Sequence, residues 1–332
     1  MRSVASGSFD RLSSASALWR AWLECRRGKR RQPRIAAFDV DADTQILRLQ
    51  RALASGTYRP APYRLTVVQD PKTRLIAAPS IVDRIVQRAL LDEIGRTYEA
   101  SFIDQSYACC HGRGPQRAVL KYLEWTRRHA WRVSLDVRRY FASVEHATLL
   151  RLFARRLGDP RTLALIERLL VAGGAVYQSP LALSLPEFAT QRVPPGCGMP
   201  LGGYLSHWSG AFYLDGLDHY VKRELKIAAY LRYMDDFTLF ADDARQLEEA
   251  REAIAQWLLA ERKLALKRTH DQVHATAEPS TFLGYRVSRA GLLPGPKAKL
   301  RLRQRLRQAD VLGPERLARG LQAYRGILLT LG

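Results

Sequence analysis

The segment LRYMDDFTLFADD, residues 231–243, restricts the fold of this chain more than any other part of it. Short apolar and aromatic runs flank two adjacent carboxylates, Asp235 and Asp236. Such runs around a short polar centre are typical of paired strands, so the segment predicts a β-hairpin with the acidic pair at its turn. Two carboxylates at one tight turn repel each other unless cations lie between them. The pattern therefore indicates either a divalent-metal site or an exposed Asp-Asp turn.

A third carboxylate, Asp136, favours the metal site. It follows the apolar run WRVSL, residues 131–135, where a side chain can project over the edge of a sheet. If this strand lies beside the hairpin, three carboxylates converge on one point. That arrangement suits two Mg²⁺ ions about 4 Å apart, one activating an attacking hydroxyl and the other holding the leaving pyrophosphate. Few protein ligands are needed, because substrate phosphates complete the coordination of Mg²⁺.

The charge of the chain predicts a polyanionic partner. Its 332 residues include 53 Lys and Arg against 32 Asp and Glu, a formal net charge of +21, and the excess is spread along the whole length. Arginine supplies most of it, and its forked donors suit phosphate. A nucleic-acid-binding surface follows. An anionic membrane surface is the alternative, although no amphipathic stretch adds strong aromatic anchors.

Neither membrane insertion nor a disulfide framework is expected. No run of about 18 apolar residues is present, and Arg2, Asp10 and Arg11 interrupt any apolar signal core at the N-terminus. The four cysteines lack CxxC spacing, which is typical of reduced thiols in a cytoplasmic protein and not of a zinc site.

Hydrophobic spacing predicts an α+β fold, with a sheet packed on one face by helices. The hydrophobic content of 47% allows one large domain or two or three subdomains. Residues 70–73 are expected to form a turn and residues 173–200, rich in Gly, Pro and Ser, to be irregular. Helices are expected over 15–25, 44–54, 80–98, 116–128, 146–156, 161–171, 203–226, 244–261 and from 297 onward. Strands are expected over 63–68, 74–78, 131–135 and 282–288, in addition to the acidic hairpin.

The motifs, taken in order, resemble those of reverse transcriptases. YMDD at 233–236 matches the best-known motif of that family. Asp136, followed by the aromatic pair Tyr140 and Phe141, matches the motif that supplies the third carboxylate. GMPLGGYLSHW, residues 198–208, and the segments 264–269 and 282–287 resemble the motifs that follow, the last being the primer-grip hairpin. The resemblance covers about residues 44–290 and implies an RNA-directed DNA polymerase.

The resemblance also implies a right-hand polymerase, with fingers, a palm whose antiparallel sheet is packed by helices, and a helical thumb. The boundaries expected from it are an N-terminal helical and basic extension over 1–43, fingers over 44–130, a palm over 131–290 with a fingers-like insertion at about 146–197, and a thumb over 291–332.

Site roles carry over from the family position by position. The catalytic residues are expected to be Asp136, Asp235 and Asp236, which with Val137 would bind two Mg²⁺ ions, Mn²⁺ being a possible substitute. The positions expected to bind the nucleotide are Lys72, Arg74, Phe141, Gly202 and Lys267. Those expected to contact template or primer are Arg84, Arg113, Tyr233, Met234, Leu283 and Gly284. The implied partners are an RNA template, a DNA or RNA primer and dNTPs, with no membrane.

Several of these positions have a plainer alternative. In the family, the ring at the position of Phe141 lies under the incoming sugar and excludes a 2′-hydroxyl, which implies selection of deoxynucleotides. The alternative is that Phe141 is a core residue and that Tyr140 or neither ring gates the site. Lys72 and Arg74 are alternatively a solvated turn, Arg84 a solvated helix face, and Met234 a packing residue.

The enzymes of diversity-generating retroelements are the most similar group. Leu201 before the glycine, the lead-in YRPAPYR at 58–64 and the overall length resemble them, and the small size argues against a full group II intron protein. The resemblance to these retroelement enzymes implies a structured RNA template, a small accessory protein and error-prone copying at template adenines. His207 departs from the pattern and leaves retron-like or antiphage-defence enzymes open.

Two other classes remain as alternatives. An RNA-dependent RNA polymerase is opposed by Phe141 and by the YMDD form of the acidic motif. A catalytically inactive RNA-binding protein is opposed by the presence together of Asp136, Asp235 and Asp236.

Overall fold

A computed structural model describes residues 7–69, 72–269, 271–307, 313 and 318, and these confirm a mixed α and β chain with antiparallel strands. The helices are α1 Ser8–Leu12, α2 Ala15–Arg26, α3 Pro33–Val40, α4 Ala42–Ala54, α5 Ile81–Glu99, α6 Pro115–Arg128, α7 Tyr140–Ser143, α8 His146–Ala154, α9 Pro160–Gly174, α10 Pro180–Leu183, α11 Pro186–Thr190, α12 Tyr204–Tyr213, α13 Asp215–Arg223, α14 Ala244–Arg262 and α15 Pro296–Arg307. The strands are β1 Arg64–Gln69, β2 Thr73–Ala78, β3 Trp131–Asp136, β4 Tyr230–Tyr233, β5 Asp236–Ala241, β6 Val273–Ala275, β7 Ser280–Phe282, β8 Tyr285–Ser288 and β9 Gly291–Pro294. A 3₁₀ helix spans Ala175–Gln178.

Two compact units make up the described chain. Unit 1 contains the described residues up to Phe102 together with Arg138–Asp215 and Leu258–Ala265, and unit 2 contains Ile103–Val137, Gly216–Trp257 and the described residues from Leu266 onward. The boundaries expected for fingers, palm and thumb stay a prediction, because compactness does not by itself identify those subdomains. No helix of the described ranges is both long and apolar enough to cross a membrane.

The central feature of unit 2 is an antiparallel sheet with strand order β4-β5-β3-β6. Leu231 of β4 and Phe240 of β5 pack with Tyr122 of α6 on one face. On the other face, Tyr230 donates a hydrogen bond to Asp218 of α13. Helices therefore contact both faces of this sheet, whereas helices on one face only were predicted from the sequence. The near-continuous apolar run of β5 is typical of a strand buried on both sides.

A second sheet of unit 2, with strand order β7-β8-β9, replaces the single strand predicted over 282–288. Leu283 and Gly284 form a two-residue turn between β7 and β8, with φ values of 46° and 86°. Positive φ at both central positions is the requirement of a type I′ hairpin turn, and glycine meets it without strain. The single-strand prediction was wrong because it overlooked this glycine, while the predicted hairpin is present.

Unit 1 contains the predicted β1–β2 hairpin, whose register pairs Arg64 with Ala78. Leu75 and Ala77 of β2 belong to a core with Tyr177 and Phe188. The last two lie in the stretch 173–200, for which an irregular structure was wrongly predicted over residues 173–190, which are largely helical, and correctly over residues 191–200. Proline begins both α10 and α11, where its missing N–H costs nothing, and the Ser179 hydroxyl accepts a hydrogen bond from Ala182 N to cap α10.

Some of the helices also differ from those predicted from the sequence. The helix expected over 203–226 divides at Leu214, whose φ of −98° and ψ of 3° separate α12 from α13. The short helices α1 and α3 were not predicted. Asp70 and Pro71 of the expected turn, and most of the expected thumb beyond Arg307, lie outside the described residues.

A glycine-containing loop of unit 1 lies directly against β2. Ala77 N donates a 2.7 Å hydrogen bond to Leu201 O, and Met199 N donates one of 2.7 Å to Phe141 O. Gly202 follows at φ 127°, and a Cβ added there would lie 2.6 Å from Ala77 O. Only glycine fits this approach, which gives a structural reason for the predicted position.

Replacing Gly202→Ala should destabilise the protein by about 3 kcal/mol or more, because backbone strain of about 1–3 kcal/mol adds to the clash with Ala77 O. Gly56→Ala is the matched control, since Gly56 also has positive φ, at 72°, but meets nothing within 4 Å of an added Cβ. It should cost about 1 kcal/mol. Urea unfolding of both variants measures the difference, and equal losses would contradict the close approach.

Candidate active site

The three predicted carboxylates come together in unit 2. Asp136 ends β3 and lies directly opposite Asp236, the first residue of β5. Asp236 also pairs with Tyr233, so Asp235 occupies the two-residue turn between β4 and β5. Directly opposed residues of an antiparallel pair have Cβ atoms about 4.5–5.5 Å apart on the same face. The sheet therefore projects the side chains of Asp136 and Asp236 together, next to the turn that carries Asp235.

The electrostatics of this cluster favour an added cation. Burial, with the charges of Asp136 and Asp235 adding to it, raises the pKa of Asp236 to about 7. Burial and the Asp136 carboxylate raise the pKa of Asp235 to about 6, while the Arg232 guanidinium acts in the opposite direction. Burial and the mutual repulsion of the carboxylates both disfavour the ionised forms, which a divalent ion would stabilise.

Lys267 supplies one cation already. Its Nζ lies 3.2 Å from Asp136 Oδ2, and its backbone N donates a 2.9 Å hydrogen bond to Asp136 O. The neighbouring residues Val137 and Leu266 form an antiparallel bridge, which fixes the segment of Lys267 beside the end of β3. The lysine predicted to lie near the leaving phosphate is thus a direct neighbour of a predicted metal ligand.

The donor set fits Mg²⁺ in its usual binding mode. Within the described ranges, no group of three or more His, Cys, Asp or Glu side chains is arranged so that it could hold a metal ion by itself. Carboxylate oxygens are hard ligands, and Mg²⁺ is usually bound through one or two carboxylates, with water and substrate phosphates completing the octahedron. An open acidic edge is therefore compatible with Mg²⁺, whereas a closed structural metal site is not present in the described residues.

The turn between β4 and β5 is held in an unusual backbone conformation. Met234 has a φ of 60°, as the first central residue of a two-residue hairpin turn requires. A non-glycine residue in the left-handed region costs free energy, so the surrounding structure must hold it there. Arg232 Nη1 donates a 3.0 Å hydrogen bond to Met234 O. Cys109 Sγ lies 3.9 Å from Met234 Sδ, and Tyr233 packs against the core that contains Tyr122.

A buried ion pair beside this turn was not predicted from the sequence. Arg232 and Asp218 have side chains that are 0% exposed, and Arg232 Nη2 lies 2.5 Å from Asp218 Oδ2. Tyr230 OH donates a 2.7 Å hydrogen bond to Asp218 Oδ1. The available signal was an arginine inside the apolar strand AAYLRYM, because a charged residue is almost never fully buried without a partner.

The aromatic pair that follows β3 lies in unit 1, and its two rings have different environments. Tyr140 is 2% exposed, and its hydroxyl donates a 2.5 Å hydrogen bond to Gly210 O. Phe141 is half-buried, with its ring centroid 5.7 Å from that of His207. Tyr140 is therefore the core residue of the pair, which favours Phe141 over Tyr140 as the candidate gate.

The predicted basic residues outside the acidic cluster are either exposed or hydrogen-bonded to nearby backbone carbonyls. Lys72 and Arg74 are exposed at the β1–β2 hairpin of unit 1. Arg84, half-buried at the start of α5, donates a 3.1 Å hydrogen bond from Nε to Pro79 O. In unit 2, Arg113 Nη1 donates to the carbonyl oxygens of Ile103 and Ser106, so this side chain stabilises a turn. Template or nucleotide contacts by these residues stay predictions.

Relatives with similar sequences share most of this chain. It is 27% identical over 290 residues to protein YkfC of Escherichia coli strain K12, a match that covers 74% of this chain and 71% of YkfC. It is 23% identical over 326 residues to the group II intron-encoded protein LtrA of Lactococcus lactis, covering 77% of this chain and 52% of LtrA. The chain thus spans about half the length of LtrA.

A solved structure of telomerase from Candida albicans, in complex with a fragment of telomeric RNA, matches with a TM-score of 0.47 and 10% identity, over 74% of this chain and 48% of that one.

A family model decides the assignment. The model of the reverse transcriptase (RNA-dependent DNA polymerase) family matches residues 69–287, which include strand β2, Asp136, the glycine loop and the YMDD turn. The right-hand polymerase fold expected from the sequence is the fold of that family. The chain therefore belongs to the reverse transcriptase family and is an RNA-directed DNA polymerase.

Proposed function

We propose that this polymerase extends a DNA or RNA primer on an RNA template with dNTPs, using Asp136, Asp235 and Asp236 as its metal-binding carboxylates. The register of Asp136 against Asp236, beside the turn of Asp235, is the observation that carries the proposal. Val137 is the fourth position proposed to bind the metal, and Mn²⁺ is a possible substitute for Mg²⁺. When bound, two Mg²⁺ ions activate the attacking hydroxyl and stabilise the leaving pyrophosphate.

The basic residues of the chain have a complementary role in the proposal. The ammonium of Lys267, already bound to Asp136, would offset the charge that develops on the leaving phosphate. Lys72 and Arg74 are exposed at the β1–β2 hairpin, and this accessibility suits contact with a triphosphate. The overall charge of +21 supports binding of the template and primer backbones.

Replacing Asp235→Asn should lower Mg²⁺-dependent primer extension on an RNA template by at least about 100-fold, as expected when a preorganised charge at the reacting centre is lost. Binding of the primer–template should change little. Asp243→Asn is the matched control, because Asp243 belongs to a second Asp-Asp pair just beyond the far end of β5. Equal activity of Asp235→Asn and wild type would refute the metal role. A wild type that extends no primer, with every template offered, would favour the inactive RNA-binding alternative.

Replacing Phe141→Val should raise the incorporation of ribonucleotides relative to deoxynucleotides by at least about tenfold, because a smaller side chain leaves room for a 2′-hydroxyl. Tyr140→Phe is the control, since it removes only the buried hydroxyl bound to Gly210 O. Single-nucleotide insertion kinetics with dNTP and NTP measure the ratio. Unchanged sugar discrimination in Phe141→Val would reject the gate.

We also propose that the enzyme serves a diversity-generating retroelement, with a structured RNA and a small accessory protein as partners. Leu201 before the glycine loop and YRPAPYR at 58–64 support this context. The similarity to the group II intron-encoded LtrA favours an intron-encoded enzyme as the second candidate. His207 keeps retron-like and antiphage-defence enzymes as further alternatives.

Sequencing of the RNA that co-purifies with the protein from its native cells tests the retroelement proposal. The expected RNA contains a template repeat, and its cDNA should carry substitutions concentrated at template adenines. Recovery of a self-splicing intron RNA would instead support the intron-encoded alternative. Faithful copying of adenines would also contradict the retroelement proposal.

A further inference from the structure

We infer that Arg232 is a positioning residue for the YMDD turn: its guanidinium, clamped by Asp218, holds the Met234 carbonyl and thereby fixes the backbone that carries Asp235. The inference rests on the proposed function, since it assigns a role to a residue that touches neither substrate nor the proposed metal ions. All of the groups involved lie in unit 2.

The clamp is a two-point contact. Arg232 Nε donates to Asp218 Oδ1 at 2.7 Å and Nη2 donates to Asp218 Oδ2 at 2.5 Å, a bidentate pair. A guanidinium is planar and rigid, so fixing two of its nitrogens fixes the direction of the third. That third nitrogen, Nη1, is the one that donates to Met234 O at 3.0 Å.

Asp218 is itself held in place. It lies on α13, its side chain is fully buried, and Tyr230 OH donates to its Oδ1 at 2.7 Å. A fully buried ion pair contributes little net stability compared with an apolar core of similar volume, because both charges are removed from water. The role of the pair is therefore better explained by the geometry that it imposes on Met234 than by stability.

The backbone of Arg232 is fixed from its other edge. Arg232 N donates a 2.9 Å hydrogen bond to Gln105 O, and Tyr107 N donates one of 2.9 Å to Arg232 O. Ser106 between them accepts a 3.2 Å hydrogen bond from Arg232 Nη2. The strand leading into the turn is thus held by its main chain and its side chain, one residue before Tyr233.

Met234 is where this support is needed. Its φ of 60° lies in a region that a non-glycine residue occupies only when its surroundings hold it there. Without a donor at its carbonyl, the turn can relax toward negative φ, which would reorient the next residue, Asp235. Because Asp235 and Asp236 are consecutive, that motion would also change the spacing between the turn and the Asp136–Asp236 pair.

The conservative variant Arg232→Lys separates positioning from folding. A lysine keeps the positive charge beside Asp218, but one ammonium cannot also reach Met234 O with the fork geometry of arginine. We expect the Mg²⁺ concentration for half-maximal extension to rise about tenfold, and kcat to fall by about 10–100-fold, as is typical when a residue that orients metal ligands is changed. The dissociation constant for primer–template and the KM for dNTP should change by less than twofold.

Arg132→Lys is the matched control in the same sheet. Arg132 is 6% exposed, and its Nη1 donates to the carbonyl oxygens of Ala275 and Glu278, away from the turn. This variant should lose thermal stability comparably while keeping the Mg²⁺ dependence of the wild type. If Arg232→Lys and Arg132→Lys have the same Mg²⁺ dependence and kcat, the positioning role is rejected.

An apolar replacement of the whole cluster provides the second test. The triple variant Arg232→Met, Asp218→Leu, Tyr230→Phe removes both charges and the hydroxyl, and such replacements of a buried ion pair are often neutral or stabilising. We expect it to fold, to bind primer–template normally and to show the same raised Mg²⁺ requirement. Normal Mg²⁺ dependence in this triple variant would show that the pair serves stability alone. Loss of folding in both the triple variant and Arg232→Lys would lead to the same conclusion.

A binding measurement separates failure of this inference from failure of the proposed function. Titration of Mn²⁺ into the purified protein, followed by electron paramagnetic resonance, needs no polymerase activity. Weaker Mn²⁺ binding by Arg232→Lys, with unchanged binding by Arg132→Lys, supports the inference even if no template is found that the wild type copies. Equal Mn²⁺ affinity in wild type and Arg232→Lys overturns it.

Discussion

The antiparallel register between β3 and β5 is the constraint on which the candidate active site depends. It sets Asp136 against Asp236, and the same register pairs Ser134 with Thr238, whose hydroxyls lie 3.0 Å apart. A slip of one residue would turn every side chain of a strand to the other face. The aromatic core around Tyr122 and Phe240 opposes such a slip, because β5 would then exchange Phe240 for Leu239 against α6.

Charge balance around the acidic edge is the second constraint. Burial, and after it the repulsion among the three carboxylates, disfavours their charged forms at this edge and raises the pKa values of Asp235 and Asp236. Two cations of the protein oppose this repulsion from different sides. Lys267 binds Asp136 at a partly exposed position, while Arg232 is fully buried and bound to Asp218. A solvent-accessible cation suits contact with a leaving phosphate, and a buried cation suits support of a turn.

Much of the fold and the site could be predicted because the relevant signals are local. The β4–β5 hairpin, the β1–β2 hairpin and the long helices follow from apolar spacing, and the Asp136 position follows from its place after a short strand. The secondary-structure predictions that were wrong also have local causes. The short helices α10 and α11 were missed because Pro and Ser were read as markers of irregular chain, although both residues also begin helices. Residue spacing alone missed the β7–β8 turn because one glycine was included in a strand, whereas the resemblance to the primer-grip hairpin predicted a hairpin there.

The sequence by itself determined the chemistry of this protein: the acidic residues, their order along the chain and the family to which they belong are all properties of local motifs. Tertiary structure alone decided which groups support them. Arg232 and Asp218 are 14 residues apart in the chain and Asp136 and Lys267 are 131 residues apart, and no pattern of spacing joins either pair. Burial selected the partner of Arg232, because a charged group removed from water must find its opposite charge wherever the fold provides one. For the partly exposed Asp136, the bridge between Val137 and Leu266 brings Lys267 within reach.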